Sequence, residues 1–124
     1  MKRIFFSLAL LLAVTTLAAQ TNMTAREAAV KIADRILAST TYEFKNTKTG
    51  ETYKSVKKLP LDMNVKVACK YNNWHYTNGV TNMALMELGD KLADKKYEKY
   101  VLKNMNFVFN EGNLEFFRKQ YDEA

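Results

Sequence analysis

Apolar residues recur at spacings of three and four in four segments of this chain, and no other feature constrains its fold as strongly. This periodicity is typical of amphipathic helices. It predicts helices over residues 24–39, 77–89 and 94–110, and a short helix over residues 114–121. Each helix carries a broad apolar stripe that a neighbouring element must cover. We therefore expect an all-α fold, in which the helices either close a small bundle or form the first pairs of a larger helical array.

Polar and glycine residues mark where these helices are expected to begin and end. Thr24 and Glu27 have the spacing of a capping box, in which each side chain bonds to the backbone of the other residue. Asp94 is a suitable N-cap for the third helix. Gly89 is expected to end the second helix, and residues 111–113 the third. The short turn between these two helices predicts an antiparallel helix pair.

Residues 40–73 lack the helical period and are expected to form an irregular or hairpin insertion between the first two mature helices. Residues 42–44 and 51–53 flank a turn that closes at Gly50, which is the pattern of a small hairpin. Pro60 interrupts the stretch that follows. Residues 65–67 alternate between apolar and charged side chains and predict a short strand.

The first 19 residues have the organisation of a cleavable secretory signal peptide. Lys2 and Arg3 form a positively charged start, residues 4–14 are uncharged and mainly apolar, and the small residues Ala18 and Ala19 follow. The apolar run is shorter than the roughly 20 residues that span a bilayer. We expect cleavage after Ala19, which leaves a mature domain over residues 20–124. The mature chain is expected to be secreted into the periplasm without membrane attachment.

Charge and cysteine content narrow the functional classes of the mature domain. Its net charge falls from +6 to about +4 when Lys2 and Arg3 are removed, and its lysines are mixed with acidic residues. Such mixing is typical of solvated helix faces and argues against nucleic-acid binding. The single cysteine, Cys69, excludes an intramolecular disulfide and is expected to be a buried free thiol. One histidine and one cysteine are too few for a zinc site, so no metal is expected.

The densest group of chemically versatile residues spans residues 71–80, at the start of the second predicted helix. It combines aromatic rings, amide side chains, the only histidine (His75) and Gly79. Aromatic faces and amides suit a sugar or another polar ring, because rings stack while amides donate and accept hydrogen bonds. A structural role, in which Trp74 and Tyr76 pack the helix entrance, explains the same residues. The pattern alone does not decide between these interpretations.

The acidic residues have no spacing that indicates a catalytic pair. Glu87, Asp90, Asp94 and Glu98 lie among lysines on predicted helices and are expected to act as caps or solvated charges. Glycoside hydrolysis generally needs two carboxyl groups across the scissile bond. We therefore assign no catalytic residue, and the sequence contains no Ser-His-Asp arrangement or phosphate-binding loop.

Residues 74–80, together with positions along the next two helices, resemble the N-terminal part of glycoside hydrolase families 88 and 105. These residues are WHYTNGV at 74–80, then Leu85, Leu88, Gly89, DKKY at 94–97, Tyr100, Val101 and Phe107. The helix around residues 33–37 and the loop over residues 43–50 are also similar. The two families are the unsaturated glucuronyl and rhamnogalacturonyl hydrolases, and the resemblance covers most of residues 24–121.

The resemblance implies the first helices of a truncated (α/α)6 barrel. It makes Tyr76 a candidate substrate contact, with Trp74 lining the same mouth. The implied ligand is an oligosaccharide with an unsaturated uronic acid, whose double bond an aspartate hydrates without a metal or organic cofactor. In the family that aspartate lies on later helices, which correspond to positions beyond Ala124. The chain is therefore expected to be inactive alone.

These observations predict the N-terminal segment of an exported hydrolase for unsaturated uronic-acid oligosaccharides, from the breakdown of pectin, rhamnogalacturonan or glycosaminoglycan. Two alternatives stay open. One is a small exported helical module that binds a carbohydrate or a peptide through Trp74 and Tyr76. The other is a structural partner that completes a helical bundle with a second chain, which supplies the missing helices.

Overall fold

The computed structural model describes residues 23–57, 59 and 64–122, with the side chains of residues 121 and 122 excepted. The predicted signal peptide and Pro60 lie outside these residues. In chain order the elements are α1 (Ala25–Ser39), β1 (Phe44–Asn46), β2 (Thr52–Tyr53), β3 (Val65–Val67), α2 (Tyr76–Leu92), α3 (Lys95–Phe109) and α4 (Glu111–Asp122). The described part of the chain is mostly helical, as predicted.

Helix α1 begins with the capping box that the sequence predicts. The Thr24 hydroxyl accepts a bond from the Glu27 amide at 3.2 Å, and the Glu27 carboxylate accepts one from the Thr24 amide at 2.8 Å. These bonds satisfy two backbone donors at the helix start. Ala33 is the buried residue of this helix. Local sequence therefore defines α1, since its packing against the rest of the chain is slight.

A three-stranded antiparallel sheet in the order β2–β1–β3 makes the expected all-α class too narrow. β1 and β2 form the predicted hairpin, with Phe44 opposite Tyr53. β3 is the predicted strand over residues 65–67, and it pairs with the other edge of β1, with Phe44 opposite Val67. Phe44 and Asn46 are buried while Lys45 is exposed, as the alternation of a strand requires. The return of β3 to β1 turns the expected hairpin into a sheet.

Helix α2 continues through Gly89, so the predicted end of this helix was wrong. The helix ends at Leu92, and Ala93 takes the left-handed conformation with a φ of 53°. The Asp94 amide then donates to the Gly89 carbonyl at 3.0 Å, which closes the helix end. A Cβ at position 89 would lie 3.2 Å from both the Asp94 carbonyl oxygen and Tyr97 Cβ. Gly89 is thus a point of close approach between α2 and α3.

Helix α4 begins at Glu111, earlier than the predicted start at residue 114. Asn110 caps it, because Asn110 Oδ1 accepts from the Asn113 amide at 3.0 Å. The Asn113 side chain donates to the Phe107 carbonyl at 2.7 Å and so ties α4 to the end of α3. Residues 111–113, which were expected to end one helix, form the first turn of the next.

Buried apolar side chains form two groups, and the two halves of α3 contribute to different ones. The sheet-side cluster consists of Phe44, Val56, Val65, Phe107, Val108, Phe116 and Phe117. The helix-side cluster consists of Ala33, Leu85, Tyr97, Tyr100 and Val101. On the buried stripe of α3, the polar residue Asn104 lies between the two groups.

Candidate functional site

A cleft of about 190 Å³ lies where residues 71–75 and the start of α2 meet the second half of α3. We call it the amide cleft, because its lining includes the buried residues Asn72, Asn78, Asn82 and Asn104. Its rim is aromatic and exposed, and is formed by Trp74, Tyr76 and Phe109. The remaining lining residues are Tyr71, Asn73, His75, Gly79, Met105 and Val108.

Helical periodicity brings three of these asparagines together. Asn78 and Asn82 are buried on the same face of α2 as Leu85, which belongs to the helix-side cluster. On α3, Asn104 lies in the buried stripe between Val101 and Val108. An asparagine on such a stripe must find hydrogen bonds inside the protein, or else its polar atoms stay unsatisfied.

Backbone carbonyl groups fix the orientation of two amides. Asn104 Nδ2 donates to the Tyr71 carbonyl at 3.2 Å and to Asn82 Oδ1 at 3.1 Å. Asn72 Nδ2 donates to the Thr41 carbonyl at 2.6 Å. Because a backbone carbonyl can only accept, each contact identifies the NH2 end of its amide. The other end of each side chain is therefore a carbonyl oxygen.

These two carbonyl oxygens, Asn72 Oδ1 and Asn104 Oδ1, have no hydrogen-bond donor among the described residues. Both residues are only 1% exposed. A buried acceptor left without a donor costs about 1–3 kcal/mol, and native proteins rarely contain such groups. Both residues line the amide cleft, so a hydrogen-bond donor bound there is a candidate partner for these oxygens.

Asn78 holds the wall of the cleft in place. Its Nδ2 donates to the Lys70 carbonyl at 2.9 Å, to the Asn73 carbonyl at 3.1 Å, and also to Asn73 Oδ1. These bonds tie the turn over residues 70–73 to the first turn of α2. The segment that carries Asn72 is thus positioned by the protein itself.

Trp74 and Tyr76, the two ligand contacts proposed from the sequence, both lie at the rim of the amide cleft. Trp74 is 49% exposed and packs edge-on against Phe109, with ring centroids 5.5 Å apart. It therefore packs the entrance of α2 and lines the cleft at the same time. Tyr76 is 84% exposed, which leaves its ring accessible from solvent. The role of both residues in binding stays a prediction.

His75 and Cys69 have contacts that explain them structurally. His75 caps α2, because its Nδ1 accepts from the Thr77 amide at 3.3 Å and lies 2.8 Å from the Thr77 hydroxyl oxygen. Cys69 is buried and free, as predicted. Its sulfur accepts from the Tyr71 amide at 3.5 Å, just before the cleft. These contacts position the backbone on both sides of the turn that carries Asn72.

Two partly or fully buried tyrosines near residues 40–42 are neutral at physiological pH. Burial raises the pKa of Tyr42 to about 12, and its hydroxyl has no hydrogen-bond partner in the described ranges. Burial also raises the pKa of Tyr100, whose hydroxyl lies 2.8 Å from Thr40 Oγ1. Since Asn72 donates to the adjacent Thr41 carbonyl, this neutral pair adjoins the cleft without adding charge to it.

Three of the acidic residues considered from the sequence act as the predicted caps or solvated charges. Asp94 Oδ1 accepts from the Lys96 amide at 3.0 Å at the start of α3. Glu87 pairs with Lys91 at 2.7 Å and Glu98 with Lys95 at 3.2 Å, with all four side chains well exposed. In the described part of the chain, no group of His, Cys, Asp and Glu is placed to hold a metal ion. Within the same ranges, every helix is too short or too polar to cross a bilayer.

A second concave surface, which we call the apolar groove, lies between α1 and α2 with a volume of about 480 Å³. Its residues are Ala29, Ile32, Ala33 and Ile36 of α1, and Val80, Thr81, Ala84, Leu85, Glu87, Leu88 and Lys91 of α2. Ile32 is 63% exposed and Val80 is 47% exposed. The stripes predicted from the sequence therefore meet here but do not cover each other.

Sequence analysis missed Asn82 and Asn104 as site residues, although a pattern for them exists. Asn104 follows Tyr97 and Val101 at the spacing of the α3 stripe, and Asn82 precedes Leu85 and Gly89 on the α2 stripe. A polar amide at two stripe positions is unusual, because buried polar groups need partners. The segment at 71–80, singled out for its rings and amides, supplies the rim and the buried residues Asn72 and Asn78, but Asn82 and Asn104 lie outside it.

No family model, no curated protein and no solved structure matches this chain. The resemblance to glycoside hydrolase families 88 and 105 therefore stays a prediction based on the order and spacing of residues. The truncated (α/α)6 barrel also stays a prediction, because the four helices and the small sheet of the described residues do not test it. Function is accordingly inferred from the amide cleft.

Proposed function

We propose that this chain is an exported carbohydrate-binding domain, which holds a sugar ring in the amide cleft. The observation that carries the proposal is the pair of buried carbonyl oxygens, Asn72 Oδ1 and Asn104 Oδ1, that lack a donor in the described structure. Sugar hydroxyls are strong donors and satisfy such acceptors. Export is supported by the signal peptide that the sequence predicts over residues 1–19, and the periplasm is the compartment we propose.

The aromatic rim supports the same ligand class. Trp74, Tyr76 and Phe109 line the same cleft as the buried amides, and all three side chains are exposed. Binding sites for small molecules commonly combine apolar ring surface with a few polar groups that fix orientation. A sugar ring matches both features of the cleft, because its C–H faces pack on aromatic rings while its hydroxyls form hydrogen bonds with amides.

Replacement of the most exposed ring tests the proposal. Tyr76→Ala is expected to weaken oligosaccharide binding by about two- to tenfold, since an aromatic contact contributes about 0.5–1.5 kcal/mol. Tyr76 is 84% exposed, so its removal leaves the fold intact. Binding is measured on the full chain by the fluorescence of Trp74, its only tryptophan, during titration with neutral and acidic oligosaccharides.

Met83→Ala provides the matched control. Met83 lies on the same helix as Tyr76, is 74% exposed and is outside the cleft lining, so the affinity should not change. If no oligosaccharide alters Trp74 fluorescence or the backbone NMR spectrum, the proposed function is wrong. Equal affinities of Tyr76→Ala and the unchanged chain would remove Tyr76 from the site while leaving the cleft as the binding surface.

A second proposal is the one that follows from the family resemblance, namely a segment of an exported hydrolase for unsaturated uronic-acid oligosaccharides. The apolar groove favours it, because the exposed side chains of Ile32 and Val80 are suited to contact with further helices. In-frame or frameshifted coding sequence for such helices downstream of codon 124 would support this function. Turnover of unsaturated oligosaccharides by the chain alone would contradict the expectation that it has no catalytic residue.

A further inference from the structure

We propose that the amide cleft selects a neutral, hydroxyl-rich sugar ring over a uronate. This inference rests on the proposed function and specifies the charge class of its ligand. It follows from the hydrogen-bonding character of the groups at the base of the cleft, from the charges around them and from the size of the cavity.

The buried groups that need partners are acceptors. Asn72 and Asn104 are oriented by the Thr41 and Tyr71 carbonyls, so their carbonyl oxygens are the ends left without donors. Neutral sugar hydroxyls donate hydrogen bonds, whereas a carboxylate can only accept them. A carboxylate facing these oxygens would place acceptor against acceptor and leave all of them unsatisfied.

The only basic side chain in the described lining is that of His75, whose Nδ1 is already engaged in the cap with Thr77. No lysine or arginine is among the described residues that line the cleft. Lys70, which lies over the ring of the lining residue Tyr71 at 5.0 Å, is itself exposed. The neighbouring phenols Tyr42 and Tyr100 are neutral, and Lys103, whose Nζ lies 4.1 Å from the Tyr42 ring centroid, is itself exposed. Transfer of a carboxylate into such surroundings is unfavourable, because a buried charge needs a paired charge or several donors.

The dimensions suit a single ring. The cleft has a volume of about 190 Å³, which is smaller than the roughly 300–1,000 Å³ of sites for drug-sized ligands. One monosaccharide unit therefore enters, and the remainder of an oligosaccharide lies over the exposed rim at Tyr76. Selection between ligands depends on the functional groups of that one unit.

Matched pairs of methyl glycosides test the inference on the unaltered full chain. Methyl glucoside is compared with methyl glucuronide, and methyl galactoside with methyl galacturonide, because each pair differs only in a hydroxymethyl or carboxylate group. Titrations followed by Trp74 fluorescence are expected to show the neutral member of at least one pair binding at least tenfold more tightly. Equal or tighter binding of the uronides would overturn the inference and leave carbohydrate binding in place. If none of the four glycosides binds, the inference is wrong. If the oligosaccharide panel also gives no change in fluorescence, the proposed function is wrong as well.

Asn104→Leu identifies the group responsible. The variant removes the unpartnered oxygen together with the bonds to the Tyr71 carbonyl and Asn82 Oδ1. The affinity for the preferred neutral glycoside is expected to fall at least tenfold. Asn106→Leu is the control, because Asn106 is an exposed asparagine on the same helix outside the cleft lining. Near-ultraviolet circular dichroism establishes that each variant is folded. Unchanged affinity in a folded Asn104→Leu variant would remove Asn104 from the site, and the glycoside pairs test the charge selection without any substitution.

Discussion

The sheet-side and helix-side clusters differ in how completely they are closed. In the sheet-side cluster, Phe44 is fully buried and packs against Phe107 and Phe116, each with ring centroids 5.2 Å away. In the helix-side cluster, Tyr97 is equally buried, but the surface continues into the apolar groove, where Ile32 is 63% exposed. One cluster is a finished core, while the other has an open side.

The difference shows that helix formation and helix packing have separate causes. Helix α1 has a complete capping box and a regular apolar stripe, yet only Ala33 is buried. Strand β1 is only three residues long, yet it is central in the sheet and carries the fully buried Phe44. Local pattern therefore predicts that an element exists, whereas distant parts of the chain decide how much it contributes to stability.

The largest effect is expected from opening the closed cluster. Phe44→Ala should lower the free energy of unfolding by about 3–5 kcal/mol, because it removes a fully buried ring and leaves a cavity. Urea denaturation followed by Trp74 fluorescence measures the change, since the Trp74 ring lies 6.4 Å from Phe117 of the same cluster.

Ile32→Ala is the control on the open side. It should change the free energy of unfolding by no more than about 0.5 kcal/mol, because its side chain is already largely solvated. Similar losses for Phe44→Ala and Ile32→Ala would mean that the groove is covered in solution, and the contrast between the two clusters would not hold.

An intermediate effect is expected where α2 and α3 approach each other. Gly89→Ala should destabilise the chain by about 1–2 kcal/mol, because its Cβ would lie 3.2 Å from the Asp94 carbonyl oxygen and from Tyr97 Cβ. The control Gly79→Ala has nothing within 4 Å of its Cβ and should stabilise α2 by about 0.5–1 kcal/mol. Thermal unfolding of both variants measures the two changes, and opposite signs are expected. Stabilisation by Gly89→Ala would show that the two helices can separate without cost.

The smallest effect concerns the polar contact between α1 and α3. Asp34 Oδ1 accepts from the Tyr97 hydroxyl at 2.9 Å and pairs with Lys96 Nζ at 2.8 Å. The bond from Lys96 lowers the pKa of Asp34, followed by the bond from Tyr97. Because the folded pKa is the lower one, this contact stabilises the fold above the unfolded pKa of about 3.9 and is lost as the pH falls through the folded value.

Asp34→Asn measures that contribution. The difference in stability between the unaltered chain and the variant should be present at about pH 6 and should shrink as the pH falls below about 4. The effect is small, because the side chains of Asp34 and Lys96 are about half exposed. A difference that grew on acidification would contradict the assigned direction of the pKa shift.

Helix positions were predictable because their determinants are local. The capping box at Thr24 and Glu27 and the cap at Asp94 are formed as the sequence predicts. The helix ends predicted at Gly89 and at residues 111–113 were wrong for the same reason, because a glycine was interpreted as a helix terminator in both places. Gly89 in fact allows a close contact with Tyr97, and the Asn110 cap starts α4.

The base of the amide cleft was less predictable than its rim. Trp74 and Tyr76 are conspicuous in the sequence, but Asn72 and Asn104 become neighbours only after α3 has packed against the turn over residues 70–73. The unpartnered state of their carbonyl oxygens depends on which backbone carbonyls orient the amides. No pattern within one element carries that information.

The short turn at Ala93 and Asp94 has a consequence for the order of folding events. It joins α2 and α3, whose contacts lie close in the sequence, whereas Phe44 meets Phe117 across most of the described chain. Contacts that close short loops lose little chain entropy, so the α2–α3 pair is expected to acquire protection first in pulse-labelled hydrogen exchange during refolding. The sheet, which needs β3 and α4 to return to β1, would follow. The side of the molecule with the open groove would then be the earliest to form, and the closed core would be the last.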